Sequence, residues 1–337
     1  MRTRPWHTIE LLEVKKLGKT LYVVVPCYNE EEVLPSTAEA LLSQLSEMMD
    51  SCVISDNSKI LFVDDGSSDA TWSIILKLSK ENEYVEGIKL SHNQGHQNAL
   101  FAGMMYVKNK CDCMISIDAD LQDDISAFHT FLRKHEEGCD VVYGVRGERK
   151  KDSFFKRVTA QGFYKFMNLM GAETIYNHAD YRLMSRRALE ALSEYKEVNL
   201  FLRGVVPLIG FKSDTVMYAR KERTAGKTKY PLKKMINFAL DGITSFSVKP
   251  IRIIAAFGMI CSLLSIVGLL YALFSYFFGY TVPGWTALTC SIWLLGGIQL
   301  LSIGVLGEYI SKIFSEVKHR PKYFIEEITN NSENNAQ

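Results

Sequence analysis

The chain has 337 residues, enough for one large α/β domain and a further part. With 39 Lys and Arg against 38 Asp and Glu, no global charge points to nucleic acid as a partner, although basic residues crowd between Arg146 and Lys249. The seven cysteines stand apart except for Cys111 and Cys113, whose spacing fits no usual zinc pattern, so reduced, partly buried thiols in a cytosolic domain are expected.

Residues 1–20 carry scattered charges and no apolar core, unlike a signal peptide. Residues 21–25 form a β-branched run that Pro26 ends before Cys27-Tyr28-Asn29-Glu30. The apolar spacing of Val33, Leu34, Ala38, Leu41, Leu42 and Leu45 then predicts a helix, half of a βαβ unit. The plan repeats with a strand at 60–63, the loop Asp64-Asp65-Gly66-Ser67-Ser68-Asp69 with its helix-capping residues, and a helix over 71–79. A strand at 85–90, the loop His92-Asn93-Gln94-Gly95 and a helix over 96–107 follow, then strands at 114–117 and 141–145. This rhythm predicts an open, mostly parallel sheet with ligands at the carboxyl ends of its strands. Glu30, the Asp64/Asp65 pair and the Asp118/Asp120 pair should therefore face one cleft. No glycine-rich dinucleotide fingerprint or P-loop is present, so a nucleotide has to be held by acids and a metal.

The strand at 114–117 runs directly into Asp118, Asp120, Asp123 and Asp124, with Gln122 among them. Carboxylates crowded there repel one another unless a cation sits among them, and hard oxygen ligands suit Mg2+ or Mn2+. Glu31 and Glu32 read as first-turn acids, Asp69, Asp123 and Asp124 as helix caps, and Asp64 as a turn cap, leaving Asp65 to face the ligand. His92, His96 and His178 read as polar loop residues, with His96 a candidate for phosphate contact at a helix amino terminus. Asp180 stays open between a base, an acid that orients the acceptor, and the salt-bridge partner that orients Arg182.

From Ile253 to Gly307 no residue is charged, a length that fits two membrane spans of ~20 residues each. Residues 279–285 supply the turn, with Tyr280 and Trp285 suited to an interfacial belt. Lys249 and Arg252 precede the first span and Lys312, Lys318, Arg320 and Lys322 follow the second, which puts both chain ends in the cytoplasm. Leu232, Met235, Ile236, Ala239, Leu240, Ile243 and Phe246 describe an amphipathic helix lying in the interface. Ile310, Ile313, Phe314 and Val317 form a second amphipathic stretch, and residues 330–337 have the polarity of a disordered tail. Small residues at Gly296-Gly297 and Ser302-x-Gly304 let spans pack closely, within one chain or in a homo-oligomer.

Pro26-Cys27-Tyr28-Asn29-Glu30, Val63 to Asp69, and Asp118-Ala119-Asp120-Leu121-Gln122-Asp123 resemble, in that order, the motifs of the GT-A family 2 glycosyltransferases. Within that family the chain from about Leu21 to Phe324 is similar to the polyprenyl-phosphate group, which includes bactoprenol glucosyltransferases and dolichyl-phosphate mannose synthases. Arg220 to Tyr230 resembles the family's Arg-x-x-Gly-x-Ser-Lys-Tyr element, with Thr228 where Ser is usual. The resemblance implies an α/β fold: a Rossmann-like GT-A catalytic domain over 21–230 behind an N-terminal extension at 1–20, an interfacial helix at 231–250, two transmembrane helices at 251–309, and a cytoplasmic amphipathic helix with disordered tail at 310–337.

It also implies inverting transfer of a sugar to undecaprenyl phosphate for cell-envelope glycan modification. UDP-glucose is the foremost donor, ahead of UDP-N-acetylglucosamine, UDP-galactose and GDP-mannose. The expected catalytic residues are Asp120, Asp180 and Arg182. Pro26, Tyr28, Glu30, Asp65 and Asp118 are expected on the nucleotide sugar, and Asp118, Asp120 and Gln122 on Mg2+ or Mn2+. Arg146, Arg157, Arg220, Lys227 and Lys229 are expected on the acceptor phosphate. Besides nucleotide sugar, lipid and bilayer, a flippase and a downstream glycosyltransferase are implied partners at the inner or plasma membrane. A phosphate monoester with a second pKa of about 6 is already largely ionised at neutral pH, so no strong base is required. The competing reading is a non-catalytic nucleotide-sugar-binding membrane scaffold, against which the intact Glu30, Asp65, Asp118 and Asp120 speak.

Overall fold

β1 (Leu21–Cys27) is buried along its whole length, and its side chains divide by parity. Leu21, Val23, Val25 and Cys27 enter one apolar cluster, while Tyr22 and Val24 enter the other. A strand covered on both faces reads as a continuous apolar run, which is why it is plain in the sequence. The computed structural model describes residues 18–146, 178–197, 201–218, 249–278 and 284–329.

Among these residues eight strands form one sheet in the order β7-β5-β6-β4-β1-β2-β3-β8. β2 (Lys59–Asp64), β3 (Val85–Leu90) and β4 (Cys113–Ser116) join β1 in a parallel core. Their connecting helices are α1 (Leu34–Asp50), α2 (Thr71–Glu81) and α3 (His96–Val107). The cluster carrying Leu34, Leu41 and Ile75 covers one face, and that carrying Ala99, Leu100 and Met104 the other. The chain leaves β1 toward β2 on one side and later places β4 on the other. The crevice at the carboxyl ends of β1 and β4 is thus the switch point where open α/β sheets hold ligands.

The second half departs from the expected rhythm. After α4 (Phe128–Glu136), β5 (Val141–Arg146) does not pair with β4. β6 (His178–Ser185) lies between them, antiparallel to both, and β7 (Ser213–Tyr218) joins β5 in parallel. α5 (Arg186–Ser193) and α6 (Leu202–Leu208) lie between β6 and β7 in sequence and contribute to the second cluster. His178, read as a loop residue, is instead the first residue of a strand.

Two long helices follow, α7 (Lys249–Phe277) and α8 (Trp285–Val317). Many large apolar side chains on them, such as Leu263, Leu264, Leu294 and Leu300, are exposed. Among the described residues one stretch, Leu294–Val317, is long and apolar enough to cross a membrane. The stretch from Ile310 to Val317 belongs to α8 rather than to a separate helix. The chain after α8 is also not all tail, because β8 (Ile325–Ile328) adds antiparallel to β3. Thr329 and Gly87 exchange backbone and hydroxyl bonds there, and Trp72 Nε1 donates to Glu327 at 2.9 Å. The expected interfacial helix at 231–250 falls, except for its last two residues, outside the described residues, as does the tail from 330 on.

Candidate active site

The loops after β1 and β2 are fastened to each other. Asn29 adopts a left-handed φ of 52°, which Asn tolerates better than most residues. Its N–H donates to Ser67 Oγ at 3.0 Å, and its Oδ1 accepts from the Ser68 N–H at 2.9 Å. The Glu30 N–H donates to Thr71 Oγ1, and Glu31 accepts from the Ala70 N–H, so Glu31 serves the start of α2 rather than its own helix. Tyr28 is left exposed on the cleft loop, with Pro26 paired to Val63 inside β1.

Asp64 and Asp65 are both buried, and burial raises the pKa of each. Asp64 accepts from the Ser67 N–H, which is the turn-capping role expected of it. Asp65 accepts from the Gln94 N–H at 2.7 Å and the Gly95 N–H at 3.0 Å. Both its oxygens clamp the loop that opens α3, so the nucleotide contact assigned to it from the sequence would come on top of a structural task. Gly66, at φ 66°, lets this clamp close, since a Cβ there would lie 2.7 Å from the His92 backbone.

The loop after β4 carries Asp118 and Asp120 into the crevice. Ala119 O accepts from Thr37 Oγ1 of α1 at 2.6 Å, and Asp120 Oδ1 accepts from the Gln122 N–H at 3.2 Å. Leu121 sits at φ 47° between them. Asp124 caps the short 3-10 turn Ile125–Ala127, as expected. Asp123 is not a cap: it is buried and accepts from the Tyr218 hydroxyl at 2.5 Å. Among the described residues no three His, Cys, Asp or Glu gather closely enough to hold a metal by themselves. The side chains of Asp118, Asp120 and Gln122 offer hard oxygen donors, the chemistry that suits Mg2+ or Mn2+.

β6 brings the other half of the site. Its register pairs Ser116, the last residue of β4, with Arg182, and Asp180 and Asp118 both lie 3.6 Å from His96 Nε2. Asp180, with its side chain 5% exposed, pairs with Arg182 Nη2 at 2.6 Å, and Arg203 of α6 approaches both its oxygens at 3.2 and 3.0 Å. Gln97 Nε2 donates to it at 3.1 Å, while Gln97 Oε1 accepts from the Leu202 N–H. Burial pushes the Asp180 carboxyl up, but Arg203, the His96 hydrogen bond and Arg182 outweigh it and hold it well below the usual range. Its neighbours thus favour the ionised form of this carboxylate.

Arg182 is fully buried, with Nη1 on Leu202 O at 3.4 Å. Asp180 and Arg182 form an internal ion pair, the salt-bridge arrangement that was one of the readings of Asp180. His96, the first residue of α3, places Nε2 3.6 Å from both Asp118 Oδ1 and Asp180 Oδ2. Burial pulls its pKa down, yet the bond to Asp180 and the charges of Asp118 and Asp180 push it up to about 9. His96 thus stands at the start of α3 between two acids that favour its protonated form. Gln97 and Arg203 had no place in the sequence reading, although Arg203 is the one charge in the apolar run from Leu200 to Ile209. Arg146 ends β5; Arg157, Arg220, Lys227 and Lys229 lie outside the described residues.

The family model Glycosyl transferase family 2 matches residues 22–193. The chain is 56% identical over 313 residues to the uncharacterized glycosyltransferase YkoT of Bacillus subtilis (strain 168), covering 93% of each. It is 40% identical over 305 residues to the bactoprenol glucosyl transferase of Shigella phage SfV, covering 90% of this chain and 97% of that one. A solved glucosyl-3-phosphoglycerate synthase from Mycobacterium tuberculosis, in complex with Mn2+, uridine-diphosphate and glucosyl-3-phosphoglycerate, shares 19% identity at a TM-score of 0.44, covering 72% of this chain and 84% of that one.

Proposed function

The chain belongs to glycosyl transferase family 2 and is a glycosyltransferase of GT-A-like fold, and from that premise we propose that it transfers glucose from UDP-glucose to a polyprenyl phosphate at the membrane surface, with inversion. The observation that carries the reading is the pair Asp118 and Asp120 at the switch-point crevice, in a chain that also bears the apolar stretch Leu294–Val317. The likeness to a bactoprenol glucosyl transferase over 90% of the chain supports the acceptor class.

The nucleotide lies against Tyr28 to Glu30, on loops already fastened by Asn29, Ser67 and Thr71. Asp118 and Asp120, with Gln122, would hold a divalent ion, which when bound would supply Lewis-acid stabilisation of the leaving diphosphate. The nucleophile is an anion already, so the protein's task is to bring one anion up to another. Repulsion between unit charges ~4 Å apart is about 4 kcal/mol at an effective dielectric of ~20. Arg146, Arg157, Arg220, Lys227 and Lys229 supply the compensating charge to the lipid phosphate. Asp180 and Arg182 hold the frame, and His96 sets the charge beside Asp118. α7 and α8 span the bilayer with both chain ends in the cytoplasm, so the head group is used without extracting the lipid.

The test is the full chain in liposomes containing undecaprenyl phosphate, offered labelled UDP-glucose, UDP-N-acetylglucosamine, UDP-galactose and GDP-mannose with Mg2+ or Mn2+. Labelled lipid is expected with UDP-glucose and not with the Asp120→Asn variant. Label from another sugar replaces the donor, and no metal-dependent release of nucleoside diphosphate with any donor favours the scaffold reading.

A further inference from the structure

The loop from Asp118 to Asp124 is held in part by side chains that come from other elements. Leu121 occupies the left-handed region at φ 47°, which a branched side chain adopts only where its surroundings impose it. Three hydroxyls from distant elements grip this loop. Thr37 Oγ1 holds Ala119 O at 2.6 Å, the Tyr181 hydroxyl holds Asp124 O at 2.8 Å, and the Tyr218 hydroxyl holds Asp123 Oδ1 at 2.5 Å. Of these, Tyr218 alone grips a side chain, and that side chain is a carboxylate 2% exposed, next in sequence to Gln122.

The phenol is itself well fixed. Its ring stands edge-on to Tyr181, with centroids 5.1 Å apart at 88°. Gly144 of β5 makes room for both rings, because a Cβ there would lie 2.8 Å from the Tyr181 ring and 3.0 Å from that of Tyr218. Tyr218 ends β7, a strand separated from β4 by β5 and β6. The hydroxyl therefore ties the loop to the far half of the sheet, at the residue after which the basic segment containing Arg220, Lys227 and Lys229 begins.

We infer that Tyr218 is a positioning residue for the reaction: through Asp123 its hydroxyl fixes the direction in which Asp120 and Gln122 present their oxygens to the metal. The inference rests on the reading of Asp118 and Asp120 as metal ligands. Groups that orient metal ligands typically change metal affinity 10- to 100-fold when lost.

Mn2+ binding to the full chain in detergent, followed by electron paramagnetic resonance with and without UDP, tests it alongside thermal melting. Tyr218→Phe and Asp123→Ala should each weaken Mn2+ binding in the presence of UDP by about 10-fold or more. The double variant should be no worse than either single one, because both remove the same link. Asp123→Asn, which keeps an acceptor oxygen, should retain more affinity than Asp123→Ala. A lowered melting temperature with wild-type Mn2+ affinity in Tyr218→Phe and Asp123→Ala overturns the inference, leaving Tyr218 a merely structural residue. If the wild-type chain itself fails to bind Mn2+ with UDP, the metal reading falls first and takes the inference with it.

Discussion

Replacing Asp180 by Asn separates a charge-balancing role from a catalytic one. The carboxylate lies between Arg182 at 2.6 Å, Arg203 at 3.0 and 3.2 Å, and His96 at 3.6 Å. Asn keeps the shape and one acceptor oxygen but leaves the fully buried Arg182 guanidinium without its counter-charge. Removing one partner of a buried pair costs about 3–5 kcal/mol, and a Coulomb estimate at ~4 Å and dielectric ~20 gives about 4 kcal/mol. At roughly 2–4 °C per kcal/mol for chains of this order, melting should fall by roughly 6–20 °C. The assay is thermal unfolding of the detergent-solubilised protein. Because the folded pKa of Asp180 is depressed below its ordinary 3.8, its contribution is present above that value and is lost as pH falls through the folded pKa. The gap between wild type and Asp180→Asn should thus be widest above pH ~4 and shrink on further acidification. Arg182→Met in the Asn background should recover part of the loss, since the orphaned charge is gone. An Asp180→Asn protein that melts like wild type yet loses all transfer activity would refute the balancing role.

Two further outcomes follow from named contacts. His96 has a folded pKa raised from 6.5 to about 9, so its stabilising charge is fully present below 6.5 and lost as pH rises through about 9. In metal-free protein, His96→Gln should therefore melt below wild type at pH 6 and match it at pH 10; a gap that grows with pH contradicts the charged assignment. Truncation after Arg320 removes β8 and with it the bonds Ser91 N–H to Phe324 O, Gly87 N–H to Thr329 Oγ1, Thr329 N–H to Gly87 O, and Trp72 to Glu327. At ~1 kcal/mol net for each, the loss is about 4 kcal/mol, and β3 becomes an open edge. Lower melting and self-association by size-exclusion chromatography are expected; unchanged melting denies β8 a structural part.

The parallel half of the fold could be read from local pattern, and so could the acids at its carboxyl edge. β1 and β4 are apolar on both faces because both are covered, and four acids within the seven residues 118–124 declare themselves in any context. β6 did not declare itself, because Asp180 and Arg182 make it look polar. They neutralise each other inside the sheet, while Tyr181 and Leu183 face one core and Met184 the other. β8 was hidden for the opposite reason: Ile-Glu-Glu-Ile has no alternation, and its acids find Lys89 and Trp72 only after docking on the edge.

Sequence alone thus determined the elements whose burial repeats with a local period, and the chemical class of the crevice, because both are properties of neighbours along the chain. Tertiary structure alone decided which charges answer which. His96, Asp180 and Arg203 come from α3, β6 and α6 and share one cluster through the antiparallel entry of β6 beside β4. Tyr218 reaches Asp123 across 95 residues of chain. Electrostatic balance depends on distance in space, and spacing in sequence carries no record of it.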